Sequence, residues 1–202
     1  MNPSRNAATS APTSAPTNAP PSAPQGAPPS ALDFRAGLAL LPGGVNVITT
    51  AGDAGLAGFT ASAVCSVTDQ PPTVLVCMNR AARAYPAFSR NGVLCVNVLS
   101  GAQRPLSATF ADPASSMAQR FAQCGWQPLA TGAPALDGAL ASLDGDIVAA
   151  HDVGTHSVFI VRLRALRISD ADARAGGLAY FSRGYHVLAA TPLPPTLTGL
   201  PA

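Results

Sequence analysis

One long extended segment, residues 56–68, constrains the fold more than any other part of the chain. Its side chains alternate between an apolar side and a side of mostly small or hydroxyl-bearing residues, and this period of two is typical of a β-strand. The two sides are Phe59, Ala61, Ala63, Cys65 and Val67, and Gly58, Thr60, Ser62, Val64 and Ser66. We therefore predict one continuous strand with its apolar side on the core.

Other strand patterns surround this segment, whereas helical patterns are few and short. Strands are predicted at residues 45–50, 73–78, 93–99, 140–149, 156–168 and 178–181, with a bulge near Ala165 where the side-chain phase reverses. Helices are predicted at 34–41, capped by Asp33, and at 82–88, 103–110 and 116–123. Because no βαβ rhythm is present, we predict a mainly β domain that closes into a small antiparallel barrel.

The two ends of the chain differ in composition from the middle. Residues 1–31 contain eight Pro and eight Ala but few large apolar side chains, so we predict a disordered tail. Residues 189–202 form a second, Pro-rich tail in this interpretation. The remaining residues, 32–188, are enough for one domain with its own hydrophobic core.

The charged residues exclude several functions. All twelve basic residues are Arg and all ten acidic residues are Asp, so a Schiff-base lysine, a Walker A lysine and the glutamate of a zincin helix are missing. A net charge of +2, with 11% charged residues, argues against nucleic-acid binding. Four dispersed cysteines and the lack of a signal-like or membrane-spanning segment predict a soluble, cytoplasmic protein without a membrane partner.

A few polar residues are candidates for ligand binding. The face with Thr60, Ser62 and Ser66 would let a flat aromatic ring lie against the strand, or it simply faces solvent. Arginines after the strand at 73–78 would bind phosphate, or are ordinary surface residues: Arg80 and Arg83. Asn97 lies within an apolar strand, where a structural hydrogen-bond partner is favoured over a ligand.

The histidines and the missing nucleophile point to chemistry carried out by a cofactor. His151 and His156 are five residues apart, a spacing that places them together on neither a helix face nor a strand face. No metal site is therefore predicted. Tyr185 and His186 would clamp a nicotinamide nucleotide, or they anchor the end of the domain. Cys65 and Cys95 have no neighbouring base, and no G-x-G-x-x-G string occurs. Hydride transfer fits this inventory, because the protein then only binds and aligns two heterocycles.

Six strings in order along the chain resemble the flavin reductase-like, FMN-binding split-barrel family. Within it the chain is most similar to the small reductase components of two-component flavin monooxygenases, such as those for 4-hydroxyphenylacetate and for pyrimidine utilisation. The strings are GVNVITT at 44–50, GFTASAVCSVTD at 58–69, PPTVLVCMNR at 71–80, LCVNVL at 94–99, VGTH at 153–156 and YFSRGYH at 180–186. The long N-terminal tail is not part of the family pattern.

The resemblance implies a homodimeric, antiparallel split β-barrel of Greek-key topology with a few short flanking helices. It implies flavin-binding residues, namely Thr60, Ala61, Ser62, Ala63, Val64, Cys65, Ser66, Val67, Asn79, Arg80, Arg83 and Asn97. It also implies nicotinamide-binding residues, namely His156, Arg183, Tyr185 and His186. No residue acts as an acid or base in this scheme, and His156 has a positioning role.

The implied activity is reduction of FMN or FAD by NADH or NADPH, with reduced flavin diffusing to a separate monooxygenase. The alternative is a flavin-binding protein, a carrier or sensor, without reductase activity. A structural module that presents the tail is a third possibility, and it predicts no bound flavin. The strings do not distinguish between the two nicotinamide nucleotides or between the two flavins.

Overall fold

The computed structural model describes residues 28–169 and 176–189. Its strands are β1 (Gly43–Gly44), β2 (Asn46–Thr50), β3 (Ala57–Ala61), β4 (Val64–Asp69), β5 (Pro72–Asn79), β6 (Val93–Val98), β7 (Trp126–Pro128), β8 (Pro134–Leu136), β9 (Ala141–Val153), β10 (His156–Ile168), β11 (Gly177–Phe181) and β12 (Gly184–Leu188). Its α-helices are α1 (Ala31–Leu38), α2 (Tyr85–Asn91), α3 (Arg104–Ala111) and α4 (Met117–Phe121). The predicted mainly β class with few short helices is confirmed.

A seven-stranded antiparallel sheet forms most of the domain, in the order β3-β2-β6-β9-β10-β5-β4. Its two edge strands, β3 and β4, follow each other in the chain and are separated only by Ser62 and Ala63. The sheet must therefore curl until its two edges come close at this link.

The prediction of one continuous strand over residues 56–68 is wrong. The backbone bends at Ser62, and the segment divides into β3 and β4 on opposite edges of the sheet. Hydrogen bonds stabilise this corner: the amide of Val64 donates to the carbonyl of Ser62, and the amide of Cys77 donates to the carbonyl of Ala63, both at 3.0 Å. The alternation of side chains continues through the corner because the backbone is extended on both sides of it, in β3 and in β4. The sequence pattern therefore could not reveal the bend.

Helix α1 begins three residues earlier than the helix predicted at 34–41, and its N-cap is Ser30 rather than Asp33. The hydroxyl oxygen of Ser30 accepts a hydrogen bond from the amide of Asp33 at 3.1 Å, while Asp33 lies in the first turn. No residue of this helix is buried. The predicted tails, residues 1–31 and 189–202, lie outside the described residues except for 28–31 and 189.

The remaining predictions agree with the structure apart from details at the ends of elements. Strand β10 has the predicted bounds, and its register against β9 shifts between Leu163 and Ala165, as the phase reversal indicated. Helix α2 begins at Tyr85 and places Pro86 in its first turn, where a missing amide hydrogen is tolerated. The short strands β1, β7, β8 and β12 were not predicted.

Two apolar clusters lie against the sheet. The first contains Phe88 of α2 and Phe159 of β10, both almost fully buried. The second contains Phe110 of α3 and Phe121 of α4, whose ring centroids are 5.2 Å apart. A Cβ atom on Gly58 of β3 would overlap the Phe110 ring, so the absence of a side chain there lets α3 lie directly on the sheet edge.

Strands β1, β11 and β12 form a separate three-stranded sheet. It joins the main sheet through Leu178, whose carbonyl accepts from the amide of Val45 at 2.9 Å and whose amide donates to the carbonyl of Leu99 at 3.0 Å. This attachment brings Tyr180 and Tyr185 close to Thr60 at the end of β3, where they line one cavity.

Candidate functional site

Two adjoining cavities, of about 600 Å³ and about 260 Å³, form what we call the cleft. They share Thr60 and Ala111. The larger is also lined by Phe59, Ala81, Ala82, Arg83, Ala84, Phe110, Pro113, Met117 and Arg120, and the smaller by Val45, Ala61, Ser62, Tyr180 and Tyr185. Small side chains and aromatic rings thus border one end of the cleft, and two guanidinium groups border the other.

Thr60 and Ala61 at the end of β3 line the smaller cavity together with Ser62 of the link that follows. The resemblance assigns all three to flavin binding. The hydroxyl of Thr60 donates to the carbonyl of Ser107 in α3 at 2.6 Å, so its proton is already used. Its oxygen keeps accepting capacity towards the cleft.

The five residues that follow are part of the corner and of edge strand β4, and neither cavity of the cleft is lined by them: Ala63, Val64, Cys65, Ser66 and Val67. Val64 is partly buried and packs on the first apolar cluster. Val67 is 50% exposed. Their predicted contact with flavin therefore stays a prediction.

Arg83 and Arg120 form the cationic end of the cleft. Arg83 is exposed and donates to the carbonyls of Pro113 and Ser115. Arg120 is only 6% exposed and donates to the carbonyl of Gly58 at 2.8 Å and to that of Asp112 at 2.6 Å. Burial lowers the pKa of Arg120, and the like charge of Arg83 lowers it further.

Arg120 is a cleft residue that was not predicted from the sequence, although a signal for it is present. Met117 and Arg120 are three residues apart on a short helix, and Phe121 follows in the core. Residues three and four apart share a helix face, so this spacing placed Arg120 on the buried side of α4.

A further cavity of about 570 Å³, which we call the lateral cavity, shares Ala81 of the loop after β5 with the cleft. It is lined by Arg35, Asn79, Arg80, Ala81, Gly154, Thr155 and His156. The structure therefore places Asn79 and Arg80, which were predicted to bind flavin, in one cavity with His156, which was predicted to bind nicotinamide. The Nδ1 atom of His156 lies 2.9 Å from the hydroxyl of Thr155.

Arg80 is held in place by its neighbours on β9 and β10. Its guanidinium lies 2.7 Å from the carboxylate of Asp152 and also donates to the carbonyl of Gly154. Asp152 accepts from the buried hydroxyl of Ser157 at 2.5 Å, and Ser157 lies 2.9 Å from the hydroxyl of Tyr85. The Ser157 hydroxyl and the Arg80 charge lower the pKa of Asp152, so this carboxylate stays ionised.

The four predicted nicotinamide residues do not share one cavity. Tyr185 lines the cleft, where its ring centroid lies 5.3 Å from that of Tyr180. Arg183 lies in the β11–β12 turn with a φ of 62° and lines a third cavity beside α1. The Nε2 atom of His186 lies 3.2 Å from the carbonyl oxygen of Phe181. His156 is instead in the lateral cavity.

The assignment of Asn97 as a flavin-binding residue is wrong. Its exposed fraction is 0%. Its amide nitrogen donates to the carbonyls of Val47 and Pro134, and its amide oxygen accepts from the amide of Leu136 at 2.8 Å and the hydroxyl of Ser142 at 3.0 Å. Every polar atom of the side chain is used inside the core, so Asn97 stabilises the fold.

Among the described residues, no cluster of His, Cys or Asp side chains has the arrangement of a metal site. Within the same part of the chain, no helix has both the length and the apolar character needed to cross a membrane.

A family model described as the flavin reductase-like domain matches residues 38–189. The chain is 51% identical over 160 residues to an FMN reductase (NADH), RutF, from Variovorax paradoxus strain S110, covering 79% of this chain and 87% of that protein. It is similar in structure to BorF, the flavin reductase component of a bacterial two-component tryptophan halogenase, with 30% identity, a TM-score of 0.73, and 80% and 100% of the two chains covered. The styrene monooxygenase flavin reductase of Pseudomonas putida S12 is 28% identical, with a TM-score of 0.68, and 80% and 99% of the two chains are covered.

Proposed function

Since the chain belongs to the flavin reductase-like domain family, we propose how its cleft and lateral cavity bind the two nucleotides that an NADH-dependent flavin reductase brings together. The protein is a flavin reductase that uses FMN and NADH, the nucleotides named for its relative of 51% identity. The observation that carries the proposal is the cleft itself, which has a slot of small and aromatic residues at one end and two arginines at the other.

The residues of the cleft fit a flavin nucleotide. Ala61, Ser62 and Ala111 leave room for a flat ring system, and Tyr180 and Tyr185 supply aromatic surface beside it. At the other end of the same cleft, the guanidinium group of Arg120 supplies a positive charge, and its buried Nε atom has no hydrogen-bond partner. A ring at one end and a phosphate at the other is the order of groups in FMN.

The protein's contribution to the reaction is binding and alignment. Bound flavin accepts a hydride from reduced nicotinamide, which needs no general base from the protein. His156 and Arg80 line the lateral cavity, which shares Ala81 with the cleft, and we assign them to the nicotinamide nucleotide. Ala81 lines both cavities, and the Arg80–Asp152–Ser157 contacts hold the segment beside it in position. Such alignment is a major source of rate in reactions between two bound molecules.

A spectroscopic assay tests this function directly. Purified protein is mixed with NADH and FMN in air, and the loss of NADH absorbance is followed. We expect NADH consumption that depends on FMN. Bound flavin without turnover, with NADPH and FAD also tested, would instead indicate a carrier or sensor.

We also propose that the chain forms a homodimer and that its sheet is a split barrel. Support for the barrel comes from the two-residue link between the edge strands β3 and β4. Support for the dimer comes from an exposed apolar surface, the α1 face, which consists of Leu32, Phe34, Leu38, Leu40 and Leu41. A cavity between this face and Ser62 and Tyr180 adjoins the cleft, so a second copy bound there would also cover the flavin.

The partner proposed for this reductase is a flavin-dependent monooxygenase that receives reduced flavin by diffusion. This role is supported by the similarity to the reductases of the styrene monooxygenase and tryptophan halogenase systems. The cytoplasm is the proposed location, since all four cysteines are free thiols, as a reducing compartment would keep them. Oxygenase turnover in a mixture of the separately purified oxygenase, this protein, NADH and FMN tests the partnership.

A further inference from the structure

Arg104 contacts a residue of the cleft without lining the cleft itself. Its Cζ atom lies 5.3 Å from the centroid of the Tyr185 ring, within the range of a cation–π interaction. Tyr185 lines the smaller cavity of the cleft, whereas Arg104 lines neither cavity. In the part of the chain that the structure describes, no salt bridge includes Arg104, so the aromatic ring is the partner of its guanidinium group.

Side-chain contacts determine where the Tyr185 ring lies. Tyr185 is on β12, the last strand in the order β1-β11-β12, so its strand has one neighbour in that sheet. Tyr180 on β11 is its register partner, and the two rings meet edge to face. Arg104 approaches from another element, as the first residue of α3. The ring of Tyr185 is therefore fixed by contacts from both a strand and a helix.

Helix α3 is itself attached to the wall of the cleft. Its last residue, Ala111, lines both cavities. In its middle, the carbonyl of Ser107 accepts from the hydroxyl of Thr60 at 2.6 Å. Pro105 follows Arg104 in the first turn, where its fixed φ suits the start of a helix. The backbone that carries Arg104 is therefore held in place relative to the cleft.

The ring end of the cleft has no charge of its own, although the reaction creates one there. None of the described residues that line the smaller cavity is charged. A hydride brings two electrons and one proton, so NADH leaves as NAD⁺ and the reduced flavin has one more negative charge than the oxidised flavin. A cation near a cavity from which water is displaced stabilises such a charge. Arg104 can do so at any working pH, because a guanidinium group stays protonated.

We propose that Arg104 is a positioning residue, which holds the ring of Tyr185 against the flavin and through its charge favours the reduced over the oxidised flavin. The proposal rests on the proposed function for the place of the flavin ring in the smaller cavity. Arg104 contacts no ligand in this arrangement and acts through Tyr185. FMN and riboflavin should respond alike, because they have the same ring.

The ratio of the affinities for reduced and oxidised flavin tests the proposal without requiring turnover. Equilibrium dialysis is performed with FMN in air and with dithionite-reduced FMN under nitrogen, at a mildly alkaline pH where the reduced ring is anionic. R104M keeps the length of the side chain without its charge, and R104K keeps the charge. R90M is the matched control, because Arg90 is exposed on α2 and lines neither cavity of the cleft.

We expect R104M to lower the ratio of reduced to oxidised affinity about two- to fivefold, the range for one exposed cation–π contact. R104K should keep most of the ratio, and R90M should match the natural protein. Riboflavin should give the same changes as FMN. In a Y185L background R104M should have a smaller effect, because the ring through which Arg104 acts is missing.

Other outcomes would overturn the proposal. Equal weakening of both redox forms in R104M would mean that Arg104 only supports the fold, and so would failure of both R104M and R104Q to fold. A ratio as low in R104K as in R104M would exclude the charge as the cause. An undiminished effect of R104M in Y185L would show that Arg104 acts without the ring. Absence of NADH consumption with any flavin would refute the proposed function, whereas the affinity ratio is measured without NADH.

Discussion

His156 is the single residue whose replacement most directly tests the lateral cavity. It is exposed there beside Arg80, and no catalytic proton transfer is expected of it. H156A should raise the KM for NADH and lower kcat/KM about 5- to 150-fold, the range for losing one positioning contact. FMN affinity should change little. Steady-state kinetics and a melting temperature on one preparation provide the measurement.

His151 offers a matched control for this experiment. It is an exposed histidine on β9 and does not line the lateral cavity. H151A should therefore leave the NADH kinetics unchanged. If H156A also has normal kinetics and a normal melting temperature, His156 has no part in nucleotide binding.

Asn97 should affect stability and not the binding of nucleotides. In N97A the amide of Leu136 and the hydroxyl of Ser142 lose a buried acceptor. Each buried group left unpaired costs about 1–3 kcal/mol of unfolding free energy. Urea unfolding should show this loss, while the FMN dissociation constant of the folded variant should stay within about twofold. A selective loss of FMN affinity at normal stability would restore Asn97 as a flavin ligand.

At the scale of elements, the long β9–β10 pair depends on a close backbone approach at Gly145. A Cβ atom there would overlap the carbonyl oxygen of Arg162 and lie 3.0 Å from the Cα of Leu163, next to the bulge. Both contacts are backbone atoms and cannot rotate away. We expect G145A to lower the unfolding free energy by about 1–3 kcal/mol, as overpacking does.

Gly44 of β1 provides the control for this prediction, because an added Cβ meets no atom within 4 Å. G44A should therefore keep the unfolding free energy within about 0.5 kcal/mol of the natural value. Chemical denaturation of both variants gives the comparison. Equal stability of the two would mean that the strand pair adjusts its spacing without cost.

At the scale of the whole molecule, the α1 face should determine the oligomeric state. Phe34 is 58% exposed and Leu38 is 49% exposed. None of the residues of their helix, α1, is buried. If a second copy covers this face, L38D should convert the dimer to a monomer in sedimentation equilibrium and weaken FMN binding. V148D, on exposed β9, should remain dimeric. A dimer that persists in L38D would place the interface elsewhere.

The N-terminal segment should be dispensable for reduction. Its Pro- and Ala-rich composition predicts a solvated chain that contributes little to core stability. A protein starting at Pro28 retains the Ser30 cap of α1 and should keep its turnover within about twofold. A large loss of NADH-dependent FMN reduction would show that this segment takes part in the site.

Local patterns in the chain were sufficient for the class of fold and for the chemistry. Alternation and apolar runs predicted the long strands, and the bulge near Ala165 was visible as a phase reversal, because side-chain direction in a strand depends only on neighbouring residues. The ordered strings likewise indicated the family, which the family match confirms. Each of these features depends only on a short stretch of sequence.

Three features could be identified only from the folded chain. They are the corner at Ser62, the core position of Asn97, and the shared cavity of Arg83 and Arg120. Ser62 turns because β3 and β4 pair with different partners, β2 and β5, which are far apart in sequence. Asn97 has no access to ligand because it is enclosed by residues about 40 to 50 positions away. Arg83 of the loop after β5 and Arg120 of α4 line one cavity only because the fold brings these two segments to the same cleft. Packing brings distant residues together, and such contacts leave no local periodicity that a sequence pattern could show.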